Sequence, residues 1–219
     1  MILDKFLNLQ GTCIQGYRHL ENIGIVCRIE SKNQKATCPH CGLESDKLHQ
    51  NHRHLVKDLP ISGQPVYLQV NRRQFKCNNC RKPFSEELDF VASKRTYTKR
   101  LAENILEQLK EGDILNVSRI NDVTEEEIQR MIEDIAEEIT EPDLSELKRL
   151  GIDEIALVKG QKNYCAVLVN LDTGKLIAIL EKRTQEELKK TLTGWGKDVL
   201  EQIEEVSIDR LFGNCYANN

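Results

Sequence analysis

Two Cys-x-x-Cys pairs, Cys38/Cys41 and Cys77/Cys80, constrain this chain more than any other feature of its sequence. A two-residue spacer lets one tight turn direct both thiolates at the same ion, and two such turns supply the four ligands of a tetrahedral zinc site. Protein would then fill every coordination position, which is typical of a structural zinc site. The alternative ligands are the histidines of the same region, His40, His49, His52 and His54.

The net charge of -4 over 219 residues hides a strong asymmetry. Residues 31–100 contain 14 Lys and Arg against 6 Asp and Glu, a net charge of +8, whereas residues 101–219 contain 14 against 26, a net charge of -12. A localised positive field indicates a polyanionic partner, although such clusters also occur as solvated surfaces. The candidate nucleic-acid contacts are Arg72, Arg73, Lys76, Arg81, Lys82, Lys94, Arg95, Lys99 and Arg100.

The sequence predicts a soluble protein with no membrane partner. No apolar run approaches the roughly 20 residues of a membrane span, and the N-terminal MILDKFLNLQ lacks the basic start and cleavage site of a signal peptide. We therefore expect a cytoplasmic, nucleoid-associated protein. In that reducing compartment the two cysteine pairs favour metal over disulfides. The four remaining cysteines are expected to be small buried apolar groups: Cys13, Cys27, Cys165 and Cys215.

The pattern along the chain predicts an α+β multi-domain protein whose first domain, residues 1–95, is a β-rich zinc ribbon with its core at 23–90. Apolar residues alternate from Ile23 to Ile29 and again from Val66 to Val70, which predicts two strands. Pro60 and the Ser62-Gly63 pair predict a turn before the second strand.

Residues 96–142 predict a small helical domain of helix-turn-helix type. Helices are predicted at 98–110 and 124–139, and the second begins with a capping box formed by Thr124 and Glu127. The interval 113–123 is long enough for a short helix and a turn. Because the helix at 124–139 is rich in acidic residues, it is either a recognition helix or, as we prefer, a structural or dimer-forming one.

After a linker or connecting helix around Pro142, residues 143–219 predict three strands, a helix and one further strand. The strands are expected at 151–158, 164–171, 175–180 and 204–209, with a tight turn at Asp172–Gly174. A helix is expected from Thr184 to about Ile203, interrupted around Gly194 and Gly196.

The ordered set CPHC, basic linker, CNNC, helix-turn-helix, GIDE and VSID resembles bacterial insertion-sequence transposases that carry a four-cysteine finger ahead of a DDE catalytic domain. The resemblance implies a ribonuclease H-like fold in which the aspartates of GIDE and VSID, Asp153 and Asp209, bind catalytic Mg²⁺. Two such ions activate the attacking oxygen and stabilise the leaving one at a phosphodiester. The third acidic residue of the family is missing, so we expect an incomplete ribonuclease H-like α/β domain in a C-terminally truncated chain.

The resemblance also implies double-stranded DNA at the terminal repeats of an insertion sequence as the partner. It implies an ancestral Mg²⁺-dependent cleavage and transfer of DNA strands, which we expect to be lost in this fragment. Three hypotheses stay open at this point: an enzyme completed by another chain, a zinc-ribbon DNA-binding repressor of intact transposase, and a non-functional relic. The candidate protein partners are a second copy of the chain and an intact transposase.

Overall fold

The computed structural model describes residues 2–92, 94–139, 142–158, 163–180 and 184–208. The chain folds into two compact units, Met1–Leu101 and Ala102–Asn219. The three-part division at residues 95 and 142 stays a prediction. None of the described helices combines the length and apolarity that crossing a membrane requires.

The first unit is built on a five-stranded sheet that begins earlier than the sequence predicted. A short helix precedes it, α1 (Ile2–Leu7). The strands are β1 (Thr12–Leu20), β2 (Gly24–Ser31), β3 (Ala36–Thr37), β4 (Glu44–Ser45), β5 (Leu48–Ile61), β6 (Gln64–Lys76) and β7 (Pro83–Ser85). In the sheet the order is β1-β2-β6-β5 with β7 beside β6, while β3 and β4 form a separate hairpin. The two strands predicted here are β2 and β6, which pair in parallel; β1 and β5 were not predicted.

One face of this sheet supports the core of the first unit. Alternate residues of β2 and β6 point into it, including the fully buried Ile29, Val66 and Leu68. The predicted turn at Ser62-Gly63 joins β5 to β6, and both of its residues have positive φ angles of 51° and 74°. Cys27 lies in this core as expected, and burial raises the pKa of its thiol.

Three helices follow, as predicted. They are α2 (Lys99–Glu111), α3 (Ile114–Asn121) and α4 (Glu125–Glu138). The capping box is present: Thr124 Oγ1 accepts from the backbone N–H of Glu127, and the Glu127 carboxylate accepts from the backbone N–H of Thr124. Asp122 ends α3 in the left-handed conformation, so the chain turns sharply before α4 begins.

The second unit also contains a four-stranded sheet, and its elements follow one another along the chain as predicted: three strands, a helical segment and a fourth strand. Its elements are β8 (Arg149–Val158), β9 (Asn163–Asn170), β10 (Leu176–Leu180), α5 (Gln185–Gly194), α6 (Lys197–Gln202) and β11 (Glu205–Ile208). The sheet order is β10-β9-β8-β11. The first three strands are antiparallel neighbours, and β11 is parallel to β8. The predicted helix is broken as expected, with Gly196 at a φ of +89°, and the segment 142–148 is a linker without helix.

Candidate metal centre

The first cysteine pair lies in a knuckle between β3 and β4. The backbone N–H of Gly42 donates to the Cys38 carbonyl, and the backbone N–H of Cys38 donates to the Leu43 carbonyl, both at 2.9 Å. Gly42 closes the turn with a φ of +73°, a conformation that glycine adopts without a steric penalty. The pairing of β3 with β4 fixes the base of this knuckle.

The second knuckle, between β6 and β7, repeats this arrangement. The backbone N–H of Arg81 donates to the Cys77 carbonyl at 3.1 Å, and the backbone N–H of Cys77 donates to the Lys82 carbonyl at 3.0 Å. Arg81 occupies the position of Gly42 and has a φ of +61°. A residue with a Cβ atom is strained in this region of φ, so the turn is maintained by its surroundings.

The two knuckles bring the predicted cysteines together. All four Sγ atoms lie within 4.8 Å of one another. Cys38 and Cys80 approach to 3.7 Å, and Cys41 and Cys77 to 3.5 Å. Zn–S bonds of about 2.3 Å in a tetrahedron place sulfurs about 3.8 Å apart. The donor set and its spacing therefore fit a structural Zn²⁺, with Phe75 and Phe84 packed against the cluster.

The protein itself prepares one of these thiols for a metal. The backbone N–H groups of Cys80 and Asn79 donate to the Cys77 sulfur, and the sulfurs of Cys41 and Cys80 also stabilise its thiolate, which lowers the pKa of Cys77 to about 6. The backbone N–H of Lys82 lowers the pKa of Cys80, but desolvation and the neighbouring Cys77 sulfur outweigh it and raise that pKa to about 11. A bound dication would hold both as thiolates.

The cations nearest this cluster are exposed. Lys76 precedes the second cysteine pair, and Arg81 and Lys82 follow it, so three positive side chains surround one zinc knuckle. Lys94 is also exposed, whereas Arg95 and Lys99 are half-buried. The fold that closes around the metal thus presents positive charge to solvent.

Two of the predicted nucleic-acid contacts, Arg73 and Arg100, form ion pairs within the first unit. Arg73, whose side chain is 14% exposed, forms a bidentate ion pair with Glu86, and its guanidinium lies over the Phe75 ring. Arg100 forms an ion pair with the buried carboxylate of Asp58. Arg100 joins residues 42 positions apart, and Arg73 joins β6 to the residue that follows β7, so both ion pairs hold parts of the first unit together.

Arg72 lies on β6 opposite His52 of β5. Its Nε is buried, and no hydrogen-bond partner for it is found among the described residues. The four histidines that were considered as alternative ligands are all exposed, and none joins the cysteine cluster.

The carboxylate site is described only in part. Asp153 lies on β8, half-buried, opposite Val167 of β9. Asp209 lies outside the described residues, as does Cys215. β11 ends at Ile208, whose partner on β8 is Ile152.

The sheet of the first unit also carries three exposed cations that were not predicted from the sequence: Arg18, Arg28 and Arg53. They lie on the face opposite the core. The predicted alternation of β2 could have placed Arg28 on that face, whereas the bulge between Ile14 and Gly16 interrupts the alternation of β1 that would have placed Arg18.

Comparison with known proteins agrees with this architecture. Residues 34–80 match the zinc-finger of transposases IS204/IS1001/IS1096/IS1165, residues 86–136 match the helix-turn-helix domain of transposase family ISL3, and residues 150–212 match the ISL3 DDE transposase domain. No solved structure is significantly similar to the chain.

Over 173 residues the chain is 27% identical to the transposase for insertion sequence element IS1001 of Bordetella parapertussis. That alignment covers 78% of this chain and 42% of the relative, so the chain spans less than half of the relative's length. The predicted resemblance is confirmed by three consecutive domain matches and by the four clustered cysteines. The chain contains sequence that matches the zinc ribbon, the helix-turn-helix domain and the DDE domain of one family, and it therefore belongs to the ISL3 family of insertion-sequence transposases.

Proposed function

We propose that this chain recognises duplex DNA at the ends of its insertion sequence, mainly through the zinc ribbon. The observation that carries the proposal is the position of Lys76, Arg81 and Lys82, which are exposed on a single knuckle. Lys and Arg side chains bind phosphates and release the counterions condensed on DNA, which supplies most of the sequence-independent affinity. A structural zinc keeps the three charges at fixed distances, so that they meet the backbone together.

In this proposal the helix-turn-helix domain helps to position the protein on DNA but adds little to its affinity for DNA. The first turn of α4 consists of Glu125, Glu126 and Glu127. These carboxylates stabilise the N-terminus of the helix through its dipole, but they repel phosphates. Pairing with a second copy or with another transposase is a further role for this domain, and association with the nucleoid follows from DNA binding.

The second unit is proposed to carry two Mg²⁺ ligands of the family's catalytic site, Asp153 and Asp209. The register of the sheet supports this: Ile152 and Ile208 are partners, and each is followed in sequence by one of the two aspartates. The strand order β10-β9-β8-β11, in which a helical connection leads to the parallel strand β11, is compatible with a ribonuclease H-like fold. When bound, Mg²⁺ would polarise a phosphodiester for strand cleavage.

The DNA-binding proposal is tested by fluorescence anisotropy with a duplex from the end of the element and a scrambled duplex of equal length. We expect tighter binding to the end sequence, and an affinity that falls steeply with salt. Lys82→Gln should weaken binding and lower the slope of log K against log salt by about 1. Cys38→Ser should abolish selective binding because it opens the metal cluster.

The matched control is Lys197→Gln, which removes an exposed cation from the second unit, where it pairs with Glu201. This variant should bind the end duplex as the wild type does. Equal binding to both duplexes, or an unchanged salt slope in Lys82→Gln, would contradict the proposal.

A further inference from the structure

The outer face of the first unit's sheet, opposite its apolar core, carries a groove that the zinc-ribbon function does not use. The strand register places four residues in one row across the sheet: Gly16, Arg28, Gln69 and Leu55. Their neighbours in the adjacent row are Arg18, Val26, Tyr67 and Lys57. All of these lie on the face that does not contribute to the core.

Gly16, on the edge strand β1, lines one end of the groove and places no side chain there. The cavity has a volume of about 330 Å³ and extends over β1, β2, β6 and β5. A Cβ atom built on Gly16 meets no atom within 4 Å, and the φ of Gly16 is not in the left-handed region. The backbone therefore tolerates other residues here, and this end of the groove is open because the residue is glycine.

The groove is positively charged. Arg18 and Arg28 line it, both exposed and without an ion pair to any described residue, and none of the described lining residues is acidic. Arg53 adds a further cation on the same face. The carboxylate beside this row, Glu30, already accepts a hydrogen bond of 2.9 Å from Asn71. The charge of this surface is complementary to an anion.

The groove is also partly apolar, which narrows the choice of anion. Leu55 is 53% exposed, and Leu20 and Val26 complete the apolar lining on this face. Gln15 and Gln69 contribute side-chain amides that both donate and accept hydrogen bonds. The phosphate backbone of a duplex would leave the apolar part uncovered, and a cavity of this volume is the size of a small-molecule site. An unpaired nucleotide matches both parts, because its phosphate is anionic and its base has an apolar face and polar edges.

We propose that this groove binds an unpaired strand of DNA, with phosphates at Arg18 and Arg28 and a base against Val26 and Leu55. The inference rests on the proposed function only in taking DNA as the ligand of this chain. Strand binding on the outer face is separate from duplex binding by the zinc knuckle, since the two use different residues. An opened or cleaved duplex end would offer both ligands to the same unit.

The experiment measures binding of a labelled oligothymidine and of a labelled end duplex to the full zinc-loaded chain by anisotropy. Gly16→Glu places a carboxylate at one end of the groove, and Arg28→Gln removes a cation. Each should weaken oligothymidine binding at least tenfold and change duplex binding less than twofold. Leu55→Ser should also weaken oligothymidine binding, because it removes the apolar contact with the base. Gly16→Ala, which adds one methyl group in open space, is the matched control and should bind like the wild type.

Zinc content and far-UV circular dichroism establish that each variant is folded. The proposal is overturned if folded Gly16→Glu and Arg28→Gln bind oligothymidine as the wild type does. If these variants lose duplex binding as much as oligothymidine binding, the face binds duplex DNA and the proposal is wrong. If polyglutamate displaces the labelled oligothymidine as well as unlabelled oligothymidine does, the face is a general anion surface and the proposal is also wrong. Failure of the duplex proposal is recognised separately, because Lys82→Gln then leaves duplex binding unchanged while the groove variants still lose the single strand.

Discussion

Replacing Arg100 with methionine should destabilise the first unit strongly, although Arg100 was a candidate DNA contact in the sequence. The Asp58 side chain is 0% exposed and accepts hydrogen bonds from Arg100 Nε at 2.7 Å and from Thr98 Oγ1 at 2.8 Å. Arg100, whose side chain is 29% exposed, also donates to the Leu7 carbonyl. It therefore connects β5, α1 and the start of α2.

The magnitude follows from what the substitution leaves behind. Methionine keeps much of the packing of the arginine stem, but it leaves a buried carboxylate whose remaining side-chain partner among the described residues is Thr98. Breaking a buried pair from one side typically costs about 3–5 kcal/mol. For a unit of this size, 3 kcal/mol corresponds to a fall in Tm of about 12 °C or more. Adding Asp58→Asn to Arg100→Met should recover a large part of this loss, because a neutral amide is far easier to bury.

The assay is urea unfolding followed by far-UV circular dichroism, together with DNA anisotropy under conditions where every variant is folded. Lys82→Met is the contrasting variant: it removes an exposed cation and should change the free energy of unfolding by less than about 0.5 kcal/mol while weakening DNA binding. A finding that Arg100→Met is as stable as the wild type but binds DNA poorly would refute the structural assignment of Arg100.

Four further predictions follow from the structure. Arg81→Gly should relieve the strained φ of the second knuckle and stabilise the zinc-bound protein by up to about 1 kcal/mol while weakening DNA binding, as urea unfolding and anisotropy would show. Thr124→Ala should lower the stability of the helical region by about 1 kcal/mol, measured by thermal unfolding, because it removes the capping box with Glu127. Zinc affinity, measured by competition with a colorimetric chelator, should fall more steeply below about pH 6. Because the pKa of Cys77 is lowered to about 6, its sulfur is a thiolate above that pH and becomes protonated as the pH falls below it. One additional proton then competes with zinc for this ligand. Chelation of zinc should increase hydrogen exchange in residues 48–55, which are all exposed, and leave the amides of the core protected.

The metal centre and the helices could be predicted from the sequence because their signals are local. A Cys-x-x-Cys spacing specifies a knuckle whatever surrounds it, and the Thr124–Glu127 capping box is complete within four residues. The strands of the second unit were also predictable, since they are β-branched runs separated by a turn whose Gly174 has a φ of +69°.

The first unit was harder to predict because long stretches of its strands are exposed on both sides of the sheet. The first eight residues of β5, Leu48–Leu55, are all exposed, so the strand shows no apolar alternation over that length. Its existence depends on pairing with β6, which only the tertiary structure reveals. β1 is similarly exposed from Arg18 to Leu20, and its bulge shifts the alternation by one residue.

The division of the cations into structural and exposed ones could not be predicted for a related reason. Arg73 and Arg81 are equivalent in a charge count, but Arg73 has Glu86 as a buried partner 13 residues away, whereas Arg81 lies exposed on a knuckle. A partner brought in by the sheet, and not the spacing of the basic residues, decides which charge remains available to DNA. The same principle explains the outer face: Arg18 and Arg28 lie ten residues apart in a region of balanced charge, and only the β1–β2 hairpin places them beside one groove. Where a protein meets a polyanion, the folded arrangement of its charges therefore carries more information than their density along the chain.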